Sequence, residues 1–168
     1  GNVAYQARTG GWRYNVRLDT YMKAPKANGA AEVRDNYLMG YNGLALNRWL
    51  RIAATGNEIW APISILTWQK GQGAKGEDWA IDRNTYHALG DEKKFNDKTF
   101  AEHRKESGFD GSSKLVATVN GRPTGTRVFV RPNRYEPGRA HAAVFNWDGK
   151  DAVELDLTPL WEDAGLPD

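Results

Sequence analysis

A chain of 168 residues, 40 % apolar and 26 % charged, is long enough for one ordinary domain, or for part of a repeat array with a small second unit. Its 23 basic and 21 acidic groups are interspersed, so no block of like charge offers a footprint for nucleic acid, and no apolar run nears the ~20 residues of a membrane span. The lack of cysteine excludes disulfides, thiolate metal sites and a cysteine nucleophile.

Eighteen glycines against seven prolines, with seven Trp, seven Tyr and five Phe, predict a turn-rich, strand-rich chain with aromatic surface to place. No charged-then-apolar signal pattern opens it. From the N-terminus, Gly10-Gly11 reads as a break. Trp12 to Leu18 reads as a strand, apolar or aromatic at every second position. The stretch from Lys23 to Ala31, with Pro25 and Asn28-Gly29, reads as a loop.

A short phrase then repeats. Asn36-Tyr37-Leu38-Met39 and Asn57-Glu58-Ile59-Trp60 lie 21 residues apart, with weaker copies starting at Asn2 and Asn84. Such a restart is the mark of stacked repeats, in which each strand pairs with its equivalent one turn away. Short strands are predicted near Asn36–Met39, Leu44–Leu46 and Leu50–Ala53, with another beginning at Glu58. Asn suits the corners, because it tolerates left-handed backbone and its amide can bond the next Asn in a ladder. Asn36 and Asn57 are therefore expected to form a structural stack.

An apolar run from Ile63 to Trp68 and a Gly- and Lys-containing loop from Lys70 to Asp78 lead to Trp79–Tyr86, read as the last full turn. One helix follows, capped by Asn96 or Asp97 and stopped by Gly108, as expected of an element closing a strand stack. Ser112-Ser113 and Asn120 to Gly125 have linker character. Beyond them, Arg127–Arg131, Ala140–Trp147 and Ala152–Leu157 read as antiparallel strands, with a hairpin at Asp148-Gly149 between the last two.

Several phrases together resemble a known family. They are Asp35-Asn36-Tyr37, Ala54-Thr55-Gly56-Asn57, Phe100-Ala101-Glu102 with Gly108-Phe109-Asp110, and above all Val128 to Ala140 (Val-Phe-Val-Arg-Pro-Asn-Arg-Tyr-Glu-Pro-Gly-Arg-Ala) running on to Asn146-Trp147. These look like the C-terminal part of bacterial right-handed parallel β-helix proteins of the pectate-lyase-like superfamily. The resemblance implies an all-β fold: β-helix rungs over 1–95, a capping helix and connection over 96–112, a linker over 113–125, and an incomplete antiparallel β unit over 126–168. It further implies a secreted or cell-surface protein that engages polysaccharide, as a binding or structural module. A polysaccharide lyase or glycoside hydrolase is the first alternative, an assembly or adhesion component the second. Further rungs or domains of a longer parent chain are expected partners, and nucleic acid and a membrane span are not.

A lyase of this kind would need an Arg or Lys base, with Ca²⁺ or basic groups neutralising the uronate. Arg48 and Arg51 are the strand-borne candidates, with Asp35, Glu58 and Asp82 as acidic partners; against this stands a solvated outer face. No cofactor is expected otherwise, because no carboxylate cluster has calcium-site spacing and the three histidines form no zinc pattern. His103 reads as a packing residue. Tyr37, Tyr41, Trp49, Trp60 and Trp68 are the carbohydrate-binding candidates, since aromatic rings stack on sugar faces. The competing reading is that they fill the interior. Glu136 and Arg139 read as a structural pair across a loop.

Overall fold

Equivalent residues of successive repeats lie side by side in a computed structural model, described for residues 3–5, 14–18, 28–47, 49–67, 78–88, 95, 97–118, 122–133, 135–136 and 138–158. The chain forms two compact units, 1–122 and 123–168. In the first, strands follow one another in threes: β1 (Val3–Tyr5), β2 (Tyr14–Leu18), β3 (Asn28–Arg34); β4 (Tyr37–Met39), β5 (Asn42–Leu46), β6 (Trp49–Thr55); β7 (Glu58–Trp60), β8 (Ile63–Thr67), β9 (Asp78–Asp82). Each strand from β1 to β6 pairs in parallel with the strand three places on, giving the sheets β2-β5-β8 and β3-β6-β9. The remaining sheet runs β1-β4-β7 and continues through β10 (Thr85–Ala88) to β11 (Lys114–Ala117). The protein is mostly β, and among the described residues every sheet of this unit is parallel.

The register creates columns. Leu38, Ile59 and Tyr86 align across β4, β7 and β10, and all three are buried. Val33, Ala54 and Ile81 do the same across β3, β6 and β9, with Leu44, Leu46 and Ile52 completing the core. Neighbouring strands lie ~4.8 Å apart, so like side chains pack directly on one another, and a core this narrow can be filled by one inward residue per strand position. Asn28-Gly29, read from the sequence as loop, opens β3, because its backbone pairs with Trp49 and the residues beyond it.

Between β10 and β11 lies the helix α1 (Phe100–Ser107). Thr99, not Asn96 or Asp97, caps it. The Thr99 hydroxyl accepts from the Glu102 amide while the Glu102 carboxylate accepts from the Thr99 amide, a reciprocal pair that satisfies two helix-end donors. Asp97 instead takes left-handed backbone just upstream, and Gly108 ends the helix at φ 73°. The helix is polar almost all round and is seated by two side chains. Phe100 packs on Tyr86 and Phe95, and His103 stacks on Phe95. It does not finish the sheet, since the chain returns afterwards to lay β11 beside β10. Lys114 to Ala117, expected to be linker, thus belong to the parallel sheet.

The second unit holds an antiparallel hairpin, β12 (Thr126–Pro132) and β13 (Ala140–Asn146). Its loop is organised by Asn133, Glu136 and Arg139: Arg139 donates to Glu136 at 2.6 Å, and the Asn133 amide donates to the Arg139 carbonyl at 2.7 Å. Asp148-Gly149 does turn the chain, and the Asn146 side chain closes that turn on Lys150 at both backbone groups. No third strand follows among the described residues. Residues 152–157 alternate in sequence but carry no ladder, and most of them are exposed.

Candidate functional site

Two polar columns run up the five-stranded sheet and the corner leading into it. The first is the asparagine ladder. Asn36 donates from both its backbone N and its Nδ2 to Asn57 Oδ1, at 3.1 and 2.8 Å. Asn57 repeats this on Asn84 Oδ1, at 3.0 Å each. The spare amide hydrogens of Asn57 and Asn84 go to the carbonyls of Val33 and Ala54, both at 2.9 Å. The asparagines themselves do not take left-handed backbone. That duty falls on the residue before each of them: Asp35 (φ 53°), Gly56 (φ 69°) and Arg83 (φ 56°).

The ladder ends in a buried knot. Asn84 N donates to Ser113 Oγ at 2.9 Å, so Ser113 stands where a further Asn would be. Ser113 Oγ and Tyr86 Oη both donate to Asp110 Oδ1, at 2.6 and 2.9 Å, and His103 Nε2 lies 2.9 Å from Asp110 Oδ2. Asp110 has no exposed surface. Burial, with the Asp110 charge and hydrogen bond behind it, pushes the Tyr86 phenol well above its ordinary value. His103 is the packing residue expected, and it also carries a carboxylate partner that no spacing in the sequence announced. Every group in this knot is satisfied by another, which marks it as structural.

The second column is different in kind. Trp60 and His87 are register partners on β7 and β10, and their rings stack at 3.5 Å with an interplanar angle of 8°. The indole N–H donates to Glu58 Oε1 at 3.0 Å. His87 Nε2 lies 3.2 Å from the same oxygen, within charge-pair range but not aligned as a hydrogen bond. His87 is buried, and neither of its ring nitrogens is hydrogen-bonded among the described residues. Here a carboxylate, an imidazole and an indole converge on the face of the sheet opposite to Ile59, the two imidazole nitrogens without a hydrogen bond among the described residues. A carboxylate and an imidazole side by side are groups suited to acid–base work on a third molecule, which is the chemical capacity of this cluster.

The residues singled out from the sequence are dispersed. Tyr37 is buried, Tyr41 and Trp49 are half-buried, and the Trp49 carbonyl accepts the Trp79 indole N–H at 2.8 Å. Trp60 is half-buried with one ring face taken by His87, so that face is closed to a sugar. Arg51 is exposed on β6 with Asp78 as its register partner. Asp82 is four residues further along β9, ~13 Å at strand rise, so the two do not form a pair. Asp82 is engaged elsewhere: its Oδ1 accepts the Ser112 amide at 2.6 Å. Burial works to raise the Asp82 carboxyl, but the Ser112 and Arg83 amides and the Arg83 charge outweigh it and hold the group below the usual range. Arg48, Trp68 and Asn2 lie outside the described residues.

Sequence reasoning placed Glu58 among acidic partners but missed His87. The available signal was positional: each follows a ladder asparagine, Glu58 by one residue and His87 by three, so stacking the repeats would have set them on adjacent strands. Among the described residues, no group of three or more His, Asp or Glu side chains is gathered as a metal site would require. A shallow cleft of about 440 Å³ at the end of α1 is lined by Ala101, Arg104, Lys105, Gly108, Phe109 and Gly111, with no carboxylate or hydroxyl side chain in its wall. Comparisons with family models, with curated proteins and with solved structures found no match to this chain.

Proposed function

We propose that the chain is a right-handed parallel β-helix module that engages polysaccharide at a cell surface or outside the cell. The observation that carries this reading is the parallel pairing of each strand from β1 to β7 with the strand three places on, joined by an asparagine ladder at one corner. Such a coil offers long, even rows of outward side chains, a surface suited to an extended polymer with a repeat of its own. The family resemblance of the sequence supplies the polymer class. Immobilised polysaccharides of neutral and uronate type, run in native gels against the purified chain, test the reading. Retardation by at least one supports it, and unchanged mobility in all of them overturns it.

A second reading, polysaccharide lyase or glycoside hydrolase, is favoured by the convergence of Glu58 with His87. A lyase would generate unsaturated chain ends that absorb in the ultraviolet, and a hydrolase would generate reducing ends. Either signal must vanish in Glu58→Gln for this cluster to be responsible.

A further inference from the structure

The faces of α1 are sorted by charge. Phe100 and His103 turn inward to Phe95, and the two carboxylates are spent nearby, Glu102 on Thr99 and Glu106 on Lys98. Ala101, Arg104, Lys105 and Gly108 follow at spacings of three and four, so they share one face, and that face carries the cations. Across from it runs the turn from Phe109 to Gly111, and between the two lies the cleft of about 440 Å³. Arg104 ties its walls together, donating to the Gly111 carbonyl at 2.8 Å while its guanidinium lies 5.6 Å from the centre of the Phe100 ring. Phe109 is held by its amide, which donates to Ser107 Oγ at 3.1 Å, and by its ring, stacked on Trp79 at 6.3 Å. Gly111 is the member of the wall that the fold does not require to be glycine. Unlike Gly108, it does not take left-handed backbone, and a Cβ placed on it would meet nothing within 4 Å. What its missing side chain leaves is open space at the cleft.

We propose that this cleft binds a small aromatic anion, an aryl carboxylate or aryl phosphate, with Arg104 and Lys105 on the anionic group and Ala101 and Phe109 against the ring. Charge complementarity selects the anion. Two adjacent cations line the cleft and no carboxylate does, so nothing in the wall repels a negative group. A guanidinium has five N–H donors, and among the described residues Arg104 spends one of them on Gly111, which leaves donors for a carboxylate or phosphate oxygen. The C-terminal end of a helix would ordinarily oppose an anion. Here the last-turn carbonyls are already engaged: His103 accepts from Ser107 Oγ at 2.6 Å and Arg104 from the Gly108 amide at 3.0 Å. Size selects a small molecule over a polymer, since the volume falls within the ~300–1,000 Å³ of small-ligand sites. The small residues Ala101, Gly108 and Gly111 leave room for a flat ring beside Phe109. The cleft belongs to the helix and its following turn, not to the strand rows, so this inference stands independently of the polysaccharide reading.

The test uses the whole chain and isothermal calorimetry with four probes: 2-naphthoate, 2-naphthyl phosphate, the neutral 2-naphthamide and inorganic phosphate. At least one of the two aryl anions is expected to bind with a dissociation constant of about 1 mM or less. It should bind roughly tenfold more tightly than either the amide, which lacks the charge, or inorganic phosphate, which lacks the ring. The double variant Arg104→Gln/Lys105→Gln should lose about tenfold or more. Gly111→Val, which fills open space at no backbone cost, should do the same, while Lys150→Gln, an exposed cation of the second unit, keeps wild-type affinity. Circular dichroism checks that each variant folds, and Ala101→Leu, on the helical wall, fills the cleft should Gly111→Val not fold. No binding of either aryl anion overturns the inference. So does equal binding of acid and amide, or wild-type affinity in the folded cleft variants.

Discussion

The two polar columns of the first unit stand three residues apart along the chain, one at the corner and one on the strand that follows it, and they differ in whether their needs are met. In the ladder Asn57 is committed at every site of its amide: its oxygen accepts twice from Asn36, and its nitrogen donates to the Val33 carbonyl and to Asn84 Oδ1. In the Trp60–His87 column the rings stack as well as the amides do, yet among the described residues the imidazole nitrogens are left with capacity. A stacked fold repeats whatever it is given, so stacking alone says nothing about function. The contrast teaches that unmet bonding at a buried position is the feature that separates a site from a strut.

The sharpest way to break this contrast is to remove a ladder member. Asn57→Leu strips the acceptor from two Asn36 donors and the partner from the Val33 carbonyl, and an orphaned buried group costs ~1–3 kcal/mol. A loss of about 3–5 kcal/mol in urea unfolding is expected. A loss below 1 kcal/mol would mean the ladder is ornamental.

Next comes Tyr86→Phe, which deletes one donor to Asp110 and should cost about 1–2 kcal/mol at neutral pH. Its pH signature is more telling. The folded phenol titrates above its ordinary value of 10.0, so its contribution is complete below that pH. The unfolded chain loses the proton first, and stability falls as the pH rises from there through the higher folded value. The wild-type protein should therefore lose stability steeply in alkali, and Tyr86→Phe should flatten that slope in pH-dependent denaturation. Equal slopes in the two would detach Tyr86 from the knot.

Gly56→Ala is a smaller change. A methyl group there would overlap the Asp35 carboxylate, which is exposed and can move aside. What remains is the left-handed backbone, worth about 1–2 kcal/mol in thermal or urea unfolding. Smallest of all is His87→Phe, which keeps the stack on Trp60 and discards the unsatisfied nitrogens. It should change stability by no more than about 0.5–1 kcal/mol in either direction. A loss comparable to that of Asn57→Leu would show that His87 is a strut after all.

The repeat was legible because one residue type marks one corner: Asn36, Asn57 and Asn84 could be aligned by eye, and the parallel strands follow from the alignment. Its termination was not legible, since Ser113 and Asp110 replace the asparagine after an inserted helix, and neither type nor spacing repeats. The residues 152–157 misled for the opposite reason. Val153, Leu155 and Leu157 have strand periodicity, but alternation reports a preference and a ladder needs a partner. The candidate site was half legible. Glu58 was in view as a carboxylate, whereas a lone histidine 29 residues later gains meaning only when β10 is laid against β7. Thr99 was overlooked as the cap because Asn96 and Asp97 are stronger formers in isolation, and the Glu102 three residues on was the deciding clue.

The knot at Asp110 also has a bearing on the order of assembly. Its carboxylate is made tolerable in the interior by Tyr86 from β10, His103 from α1 and Ser113 just before β11, so it acquires its full set of partners only when all three have arrived. Strands one repeat apart in sequence can add to a growing template one at a time, and loop closure barely penalises the longer excursion through the helix. The last rung differs in kind from the others, because a half-built version leaves a charge stranded in a dry place. Assembly that stalls before β11 should therefore fall back, since Ser113 arrives only with that strand.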